Sequence, residues 1–144
     1  MDSKKAAGKN PRSASPACTL SNISRKKSVR IPLEIADNEL SRTRGLMFRR
    51  KVVPILFVFS QEGIYPIHSF FVPGLFDAIY LSGDGKVAEA FFRIPPGKPL
   101  ICPKRRAKFL LELPPQISRR LGIRAGDRIG WKWAHKTGGK REIG

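Results

Sequence analysis

The sequence predicts a mainly β fold, a compact antiparallel sandwich or barrel with one or two short helices. Three observations carry this. Apolar residues recur with a period of two at Val29, Ile31, Leu33 and Ile35, or in short unbroken runs such as Val52 to Phe59, and neither pattern suits a long helix. Turn residues punctuate the chain, above all Ser82-Gly83-Asp84-Gly85 between two apolar runs, where an Asp-Gly step signals a hairpin. Finally, 144 residues, 41% of them hydrophobic and nine of them Phe, suffice for one ordinary domain and its core, with room for a tail.

In chain order, the alternation at Val29 to Ile35 is a first strand beginning near Ser28. Asp37 or Asn38 can cap a helix in which Leu40, Arg44 and Met47 or Phe48 stand at helical spacing, and Gly45 permits a close approach of backbones. Val52 to Phe59, interrupted by Pro54, is apolar on both faces, as befits a strand covered on each side, and Gln61-Glu62-Gly63 turns the chain. Ile67 to Phe71 reads as a short aromatic strand broken by Pro73-Gly74, Asp77 to Leu81 as another, and Lys86 to Ile94 as the second arm of the hairpin. A loop with Pro95, Pro96, Pro99 and Pro103 leads to the strand Phe109 to Leu113. Pro114-Pro115 ends that strand and opens a brief helix whose Ile117 and Leu121 face one way, closed by Gly122. The turn Ala125-Gly126-Asp127 feeds a last strand, Arg128 to Trp133, with Ile129, Trp131 and Trp133 on one face. The chain thus divides into a disordered basic tail (1–28), a β domain (29–133) and a flexible C-terminal tail (134–144).

Charge points to a partner. Against 28 Lys and Arg stand 11 Asp and Glu, a net +17 and a pI near 10.8, which favours a polyanion. Residues 1–30 alone hold eight basic residues and one acid, Asp2. The candidate phosphate contacts are Lys4, Lys5, Lys9 and Arg12 in the tail, then Arg25, Lys26, Lys27 and Arg30, then Arg49, Arg50 and Lys51, then Lys104, Arg105, Arg106 and Lys108, and last Arg119 and Arg120. Each cluster alone is an ordinary solvated surface; together with the tail they resemble a small ribosomal protein. The expectation is a non-enzymatic, cytoplasmic RNA-binding protein, a ribosomal component or associate whose partners are RNA, above all ribosomal RNA, and neighbouring ribosomal proteins. The aromatic residues sit mainly in apolar strands, so backbone reading of folded RNA is expected over base stacking.

Other chemistries find less support. The longest apolar run, Val52 to Phe59, falls far short of the ~20 residues of a spanning helix, and the N-terminal charges precede no apolar segment of a secretory signal. Cys18 and Cys102 make no disulfide framework or Cys-x-x-Cys site. His68 and His135 lie far apart without paired carboxylates, so no metal or other cofactor is expected. A further alternative is an uncharacterised enzyme or small-ligand-binding domain, the enzyme form using an acid–base pair of His68 and Asp77 to serve Cys102 or Ser69 as nucleophile.

The segments IADNELSRTRGLMFR (35–49), ILFVF (55–59), IHSFFVPGLFDAIYLSGDGKV (67–87) and AKFLLELPPQISRRLGIRAGDRI (107–129) resemble the domain-of-unknown-function family 192 in order and spacing across roughly residues 31–131. The most specific pieces are Arg-Gly-Leu-Met-Phe-Arg, Ile-His-x-Phe-Phe with its downstream Asp, and Leu-Glu-Leu-Pro…Leu-Gly-Ile…Gly-Asp. The resemblance implies a compact, mostly β domain and no particular reaction. Many bacterial members look exported, whereas this chain carries a basic N-terminus, and Leu75-Phe76 stand here where the family usually has Pro before the Asp. Residues 113–129 are also similar to the half-motif of swapped-hairpin transcription regulators, which implies a dimeric DNA binder as the alternative, with Arg119, Arg120, Arg124 and Arg128 facing phosphates.

Overall fold

The computed structural model describes residues 15–134 and the backbone of residues 140–143. Its nine strands are β1 (Ala17–Asn22), β2 (Lys27–Pro32), β3 (Glu34–Ala36), β4 (Ile55–Gly63), β5 (Phe76–Leu81), β6 (Val87–Ile94), β7 (Ala107–Leu113), β8 (Ile129–Ala134) and β9 (Lys140–Ile143). Among the described residues the helices are α1 (Glu39–Arg44) and α2 (Pro115–Leu121), with one 3-10 turn at Ile23–Arg25. The strands form two sheets, β2-β1-β8-β9 and β3-β4-β7-β5-β6, stacked as a sandwich and not closed into a barrel. Pairing is antiparallel except between β3 and β4, which run parallel.

Burial explains the sequence pattern. One face of the five-stranded sheet packs Leu56, Ile79 and Leu111 against Leu20, Val29 and Trp131 of the other sheet, with Leu121 of α2 closing the core. The opposite face is covered by the segments that bring Leu46, Val72 and Ile101 onto Phe57, Tyr80 and Leu110. A sheet buried on both sides favours near-continuous apolar runs, and all six residues of β5 are buried, with Asp77 the charged exception. The four-stranded sheet has one wet face, so β1 alternates: Cys18 and Leu20 are 1% and 0% exposed, while Thr19 and Ser21 keep partial contact with solvent.

That strand corrects the domain division. Residues 17–22 were expected in a disordered tail, yet β1 lies between β2 and β8, hydrogen-bonded on both sides. The segment ACTLSN offers only two strongly apolar side chains, and its period is too short to read without its partners. Of the expected basic tail, residues 1–14 with Lys4, Lys5, Lys9 and Arg12 lie outside the described residues. At the other end Ala134 completes β8, and Lys140–Ile143 extends the sheet as its edge strand, where a flexible tail was expected.

The alternation from Val29 to Ile35 proves to be two strands in different sheets. The Leu33 amide donates to Pro16 O (3.3 Å) and the next amide, Glu34, to Pro54 O (3.1 Å), so the chain changes layers at Leu33. Leu33 is fully buried at the crossing and Ile35 is 37% exposed. Ile67 to Phe71 forms no strand; Ile67 makes a single bridge to Ile101, and Phe71 adopts a left-handed φ of 61° that ends any ladder. The β4 strand starts at Ile55, beyond Pro54, and runs through the expected turn at residues 61–63. α1 is capped as expected by Asn38, whose side chain accepts from Ser41 N at 2.9 Å while Ser41 Oγ accepts from Asn38 N at 3.3 Å. Its Leu40, expected at helical spacing with Arg44 and Met47 or Phe48, is 81% exposed. α2 begins at Pro115 and ends on Gly122 at φ 62°, as its residues dictate.

Candidate nucleic-acid interface and central pocket

The last turn of α2 carries Arg119 and Arg120, and Arg124 follows its C-cap. This end packs onto the 3-10 turn and the start of β2: a Cβ on Gly122 would stand 3.5 Å from Arg25 Cδ and 3.6 Å from Lys27 Nζ. Asp127 fastens the junction. Its buried Oδ2 accepts from Asn22 Nδ2 (2.9 Å), Arg25 Nε (2.8 Å) and Arg124 N (3.0 Å), and Asn22 Nδ2 also donates to Leu121 O at 3.0 Å. Desolvation pushes the Asp127 carboxyl up, but the hydrogen bonds from Arg25, Asn22 and the Arg124 amide outweigh it and hold the group below its ordinary range. Two basic clusters far apart in sequence, Arg25-Lys26-Lys27 and Arg119-Arg120, are thus brought to one end of the sandwich, joined by Arg124.

The surface continues past α2. A depression of about 260 Å³ beside the helix is lined by Arg93, Arg119 and Arg124 around Phe92, which is 50% exposed. Sequence reasoning placed Phe92 in a strand and missed that its side chain is open to solvent among arginines. On the wet face of the four-stranded sheet, Thr19 of β1 pairs with Arg30 on one side and Lys132 on the other.

The remaining clusters are partly consumed by the fold. Arg49 is half-buried, with Nη1 2.7 Å from Glu34 Oε2 and Nε donating to Gly45 O at 2.9 Å, while Arg50 and Lys51 beside it are exposed. The Lys104 and Arg105 amides donate to Glu89 Oε1 (2.7 and 3.2 Å) and leave their side chains outside. Arg106 donates to Glu62 O (2.6 Å) and Lys108 to Ser60 O (2.9 Å), where the β4–β7 register shifts.

A different cluster forms on the far face of the five-stranded sheet. Arg44 at the end of α1, Gly45, Leu46 and Met47 after it, Ile67 and His68, Phe57 of β4 and Glu112 of β7 line a cavity of about 270 Å³. On β7, Leu111 and Leu113 face the inter-sheet core, so the pleat turns Glu112 to the opposite side. It is 6% exposed, and no described residue donates a hydrogen bond to its carboxylate. Burial pushes its pKa up to about 8, against the opposing pull of the Arg49 guanidinium. Gly45 keeps the cavity open: at φ 46°, a Cβ there would lie 3.1 Å from Phe57 Cζ and 3.7 Å from Glu112 Oε1. Gly45→Ala is expected to cost about 1–3 kcal/mol from the left-handed backbone and the crowded ring, measurable as a lower midpoint in urea unfolding.

The suggested acid–base pair is not assembled. His68 borders this cavity and its Nδ1 accepts from Phe70 N at 3.1 Å, whereas Asp77 accepts from Arg93 N at 2.7 Å and lines the depression beside α2. Ser69 is fully buried, donating to Pro95 O (2.6 Å) and accepting from Lys98 N (2.8 Å), which makes it an anchor for the Pro-rich loop. Cys102 is exposed, its Sγ 3.6 Å from Pro103 O. Glu112 is the residue that sequence reasoning passed over; a lone charge within the apolar run Phe109 to Leu113 was its signal. Among the described residues no group of three His, Cys, Asp or Glu is placed to hold a metal, and no helix is long and apolar enough to cross a membrane.

The segments that meet at this cavity carry Arg44–Met47, Ile67-His68 and Glu112, all within the stretch of residues 21–131 that matches the model of DUF192, an uncharacterized ACR. The chain belongs to the DUF192 family. A UPF0127 protein of Pyrococcus furiosus is 32% identical over 112 residues, covering 76% of this chain and 95% of its own length. One from Pyrococcus abyssi is 30% identical over 113 residues with the same coverage. Among solved structures, a Sinorhizobium meliloti protein described as a candidate transcription regulator superposes with a TM-score of 0.69 at 22% identity, over 79% of this chain and 91% of that one. A Novosphingobium aromaticivorans protein of unknown function gives 0.68 at 20% identity, over 78% and 82%. At these identities the two structures share the fold.

Proposed function

We propose that this DUF192 protein is a non-enzymatic RNA-binding protein that acts in the cytoplasm, as a component or associate of a ribosomal particle, by gripping RNA phosphates. The observation that carries this reading is the junction at Asp127. It gathers Arg25, Lys26, Lys27, Arg119, Arg120 and Arg124 at one end of the sandwich, with the local carboxylate already committed to internal hydrogen bonds. Guanidinium groups held on short, capped elements lose little entropy on meeting phosphates. Phe92 beside Arg93 and Arg119 adds a ring on which an unpaired base could stack. Lys4, Lys5, Lys9 and Arg12, together with Arg30, Arg50, Lys51, Lys104 and Arg105, would extend the contact along the backbone.

DNA is the second reading, favoured by the description of the Sinorhizobium meliloti neighbour. Against a swapped-hairpin form of it stands the sheet order: β7 lies between β4 and β5, and β8 between β1 and β9, so neither strand has a free edge to exchange. Sedimentation of the native protein from a cell extract separates the readings. Co-migration with ribosomal particles at low salt and release at high salt is expected; association with DNA, or migration as a free protein at low salt, would reject the proposal.

A further inference from the structure

We infer that the cavity behind Arg44–Met47 is a binding site for a small amphoteric molecule, which points an amine or similar hydrogen-bond-donating head at Glu112 and leaves a carboxylate or phosphate at the mouth beside Arg44 and His68. This site is separate from the proposed RNA surface and does not depend on it.

Glu112 sets the requirement at the floor. A carboxyl group buried to 6% exposure that accepts no hydrogen bond from a described residue carries a desolvation cost that the Arg49 charge offsets only in part, and a bound donor would offset it further. The fold does not supply that donor. Arg49, the nearby cation, spends its Nη1 on Glu34 and its Nε on Gly45 O. Arg42 likewise reaches Val58 O at 3.0 Å and Glu39 Oε2 at 3.5 Å. A metal ion fits poorly, because among the described residues on the walls Glu112 is the one carboxylate and His68 the one imidazole, too few for a metal site.

The walls and mouth narrow the chemistry further. Leu46, Met47, Phe57, Ile67 and Val72 give an apolar middle, and about 270 Å³ is below the roughly 300–1,000 Å³ of drug-sized sites, so the ligand is metabolite-sized. At the mouth, Arg44 is exposed and makes no ion pair with a described residue. His68 accepts at Nδ1 from Phe70 N, which leaves the neutral ring's proton on Nε2 as a donor. A bare cation would be repelled by Arg42, Arg44 and Arg49; an anionic end facing Arg44 and His68 removes that objection. Backbone geometry preserves the space, since a Cβ at position 45 would be strained at φ 46° and would crowd the Phe57 ring at 3.1 Å.

Calorimetric titration of the full chain tests this with two probe sets, the α-amino acids and the nucleoside 5′-monophosphates, at up to about 10 mM, a range that captures millimolar affinity. Methylamine and acetate serve as one-ended controls. At least one amphoteric probe should bind, the set it comes from identifying the anionic group as carboxylate or phosphate, and neither control should match it. Glu112→Gln and Arg44→Ala should each weaken that binding about tenfold or more. Arg44 is exposed, so its variant retains the fold and reads the effect on binding independently of any change at Glu112. Silence of both probe sets, or full binding in the Arg44 variant, would overturn the inference.

Discussion

A chain that begins at residue 31 should lose its cooperative unfolding transition, whereas one that begins at residue 15 should keep it. The shorter chain retains nearly all of the alternating apolar strands that are conspicuous in the sequence, and would pass for the complete domain on that basis. It lacks β1, however, and most of β2. β1 bridges β2 and β8, so its removal strips hydrogen-bonded partners from both sides and leaves β8 paired only with the edge strand β9. It also removes Cys18, Leu20 and Val29 from the inter-sheet core, exposing Trp131, Leu111 and Ile79. Burial of each such side chain contributes about 1.5–3 kcal/mol. Together with the lost ladders, this approaches the roughly 5–15 kcal/mol that stabilises an ordinary domain. Thermal unfolding followed by circular dichroism decides it, and a sigmoidal transition in the shorter chain would show that β1 is dispensable.

Glu112→Gln is expected to stabilise the protein at alkaline pH and to do little at pH 5. The ordinary carboxyl value of 4.5 is raised to about 8 in the folded state, mainly by burial. Between these values the folded protein keeps a proton that the unfolded chain releases, so wild-type stability falls as pH rises through this window and levels off above it. Glutamine mimics the protonated acid and does not titrate. The advantage of the variant should therefore grow from near zero below pH 5 to a plateau above pH 8. At about 1.4 kcal/mol per unit, reduced for relaxation around the charge, the plateau is roughly 2–4 kcal/mol, or about 5–10 °C in Tm. Asp127 titrates on the acid side: its folded value is lowered, so its contribution is lost only as pH falls below the usual carboxylate range. Melting curves from pH 5 to 9 keep the two groups apart. A variant no more stable than the wild type at pH 9 would mean that Glu112 is not held neutral by burial.

What could be read from the sequence was local. The Asp-Gly hairpin between β5 and β6, the Pro115–Gly122 helix and the shared face of Ile129, Trp131 and Trp133 depend on neighbours within a few residues, and all are present. β1 was illegible because its evidence is Cys18 and Leu20 alone; its stability comes from strands that lie elsewhere in the chain. The crossing at Leu33 was hidden because alternation continues through it while the sheet partner changes. The candidate sites depend on distant partners still more. Arg25 meets Asp127 across 102 positions, and the central cavity needs α1, β4, β7 and the His68 segment together. A solitary Glu in an apolar strand and a Gly forced to φ 46° are what such a cavity leaves in the sequence.

RNA binding through the arginines that Asp127 brings together is tested most directly by the salt dependence of RNA affinity. Full-length wild type and a variant carrying Arg119→Glu, Arg120→Glu and Arg124→Glu would be titrated with purified ribosomal RNA at several salt concentrations. Each phosphate contact contributes about 0.7–0.9 to the slope of log affinity against log salt. Loss of three contacts should lower the slope by about 2 and weaken binding at least tenfold at low salt, while Tm changes little because Arg119, Arg120 and Arg124 are exposed. Equal slopes and equal affinities for the two proteins, or no salt-dependent affinity in the wild type, would contradict the account.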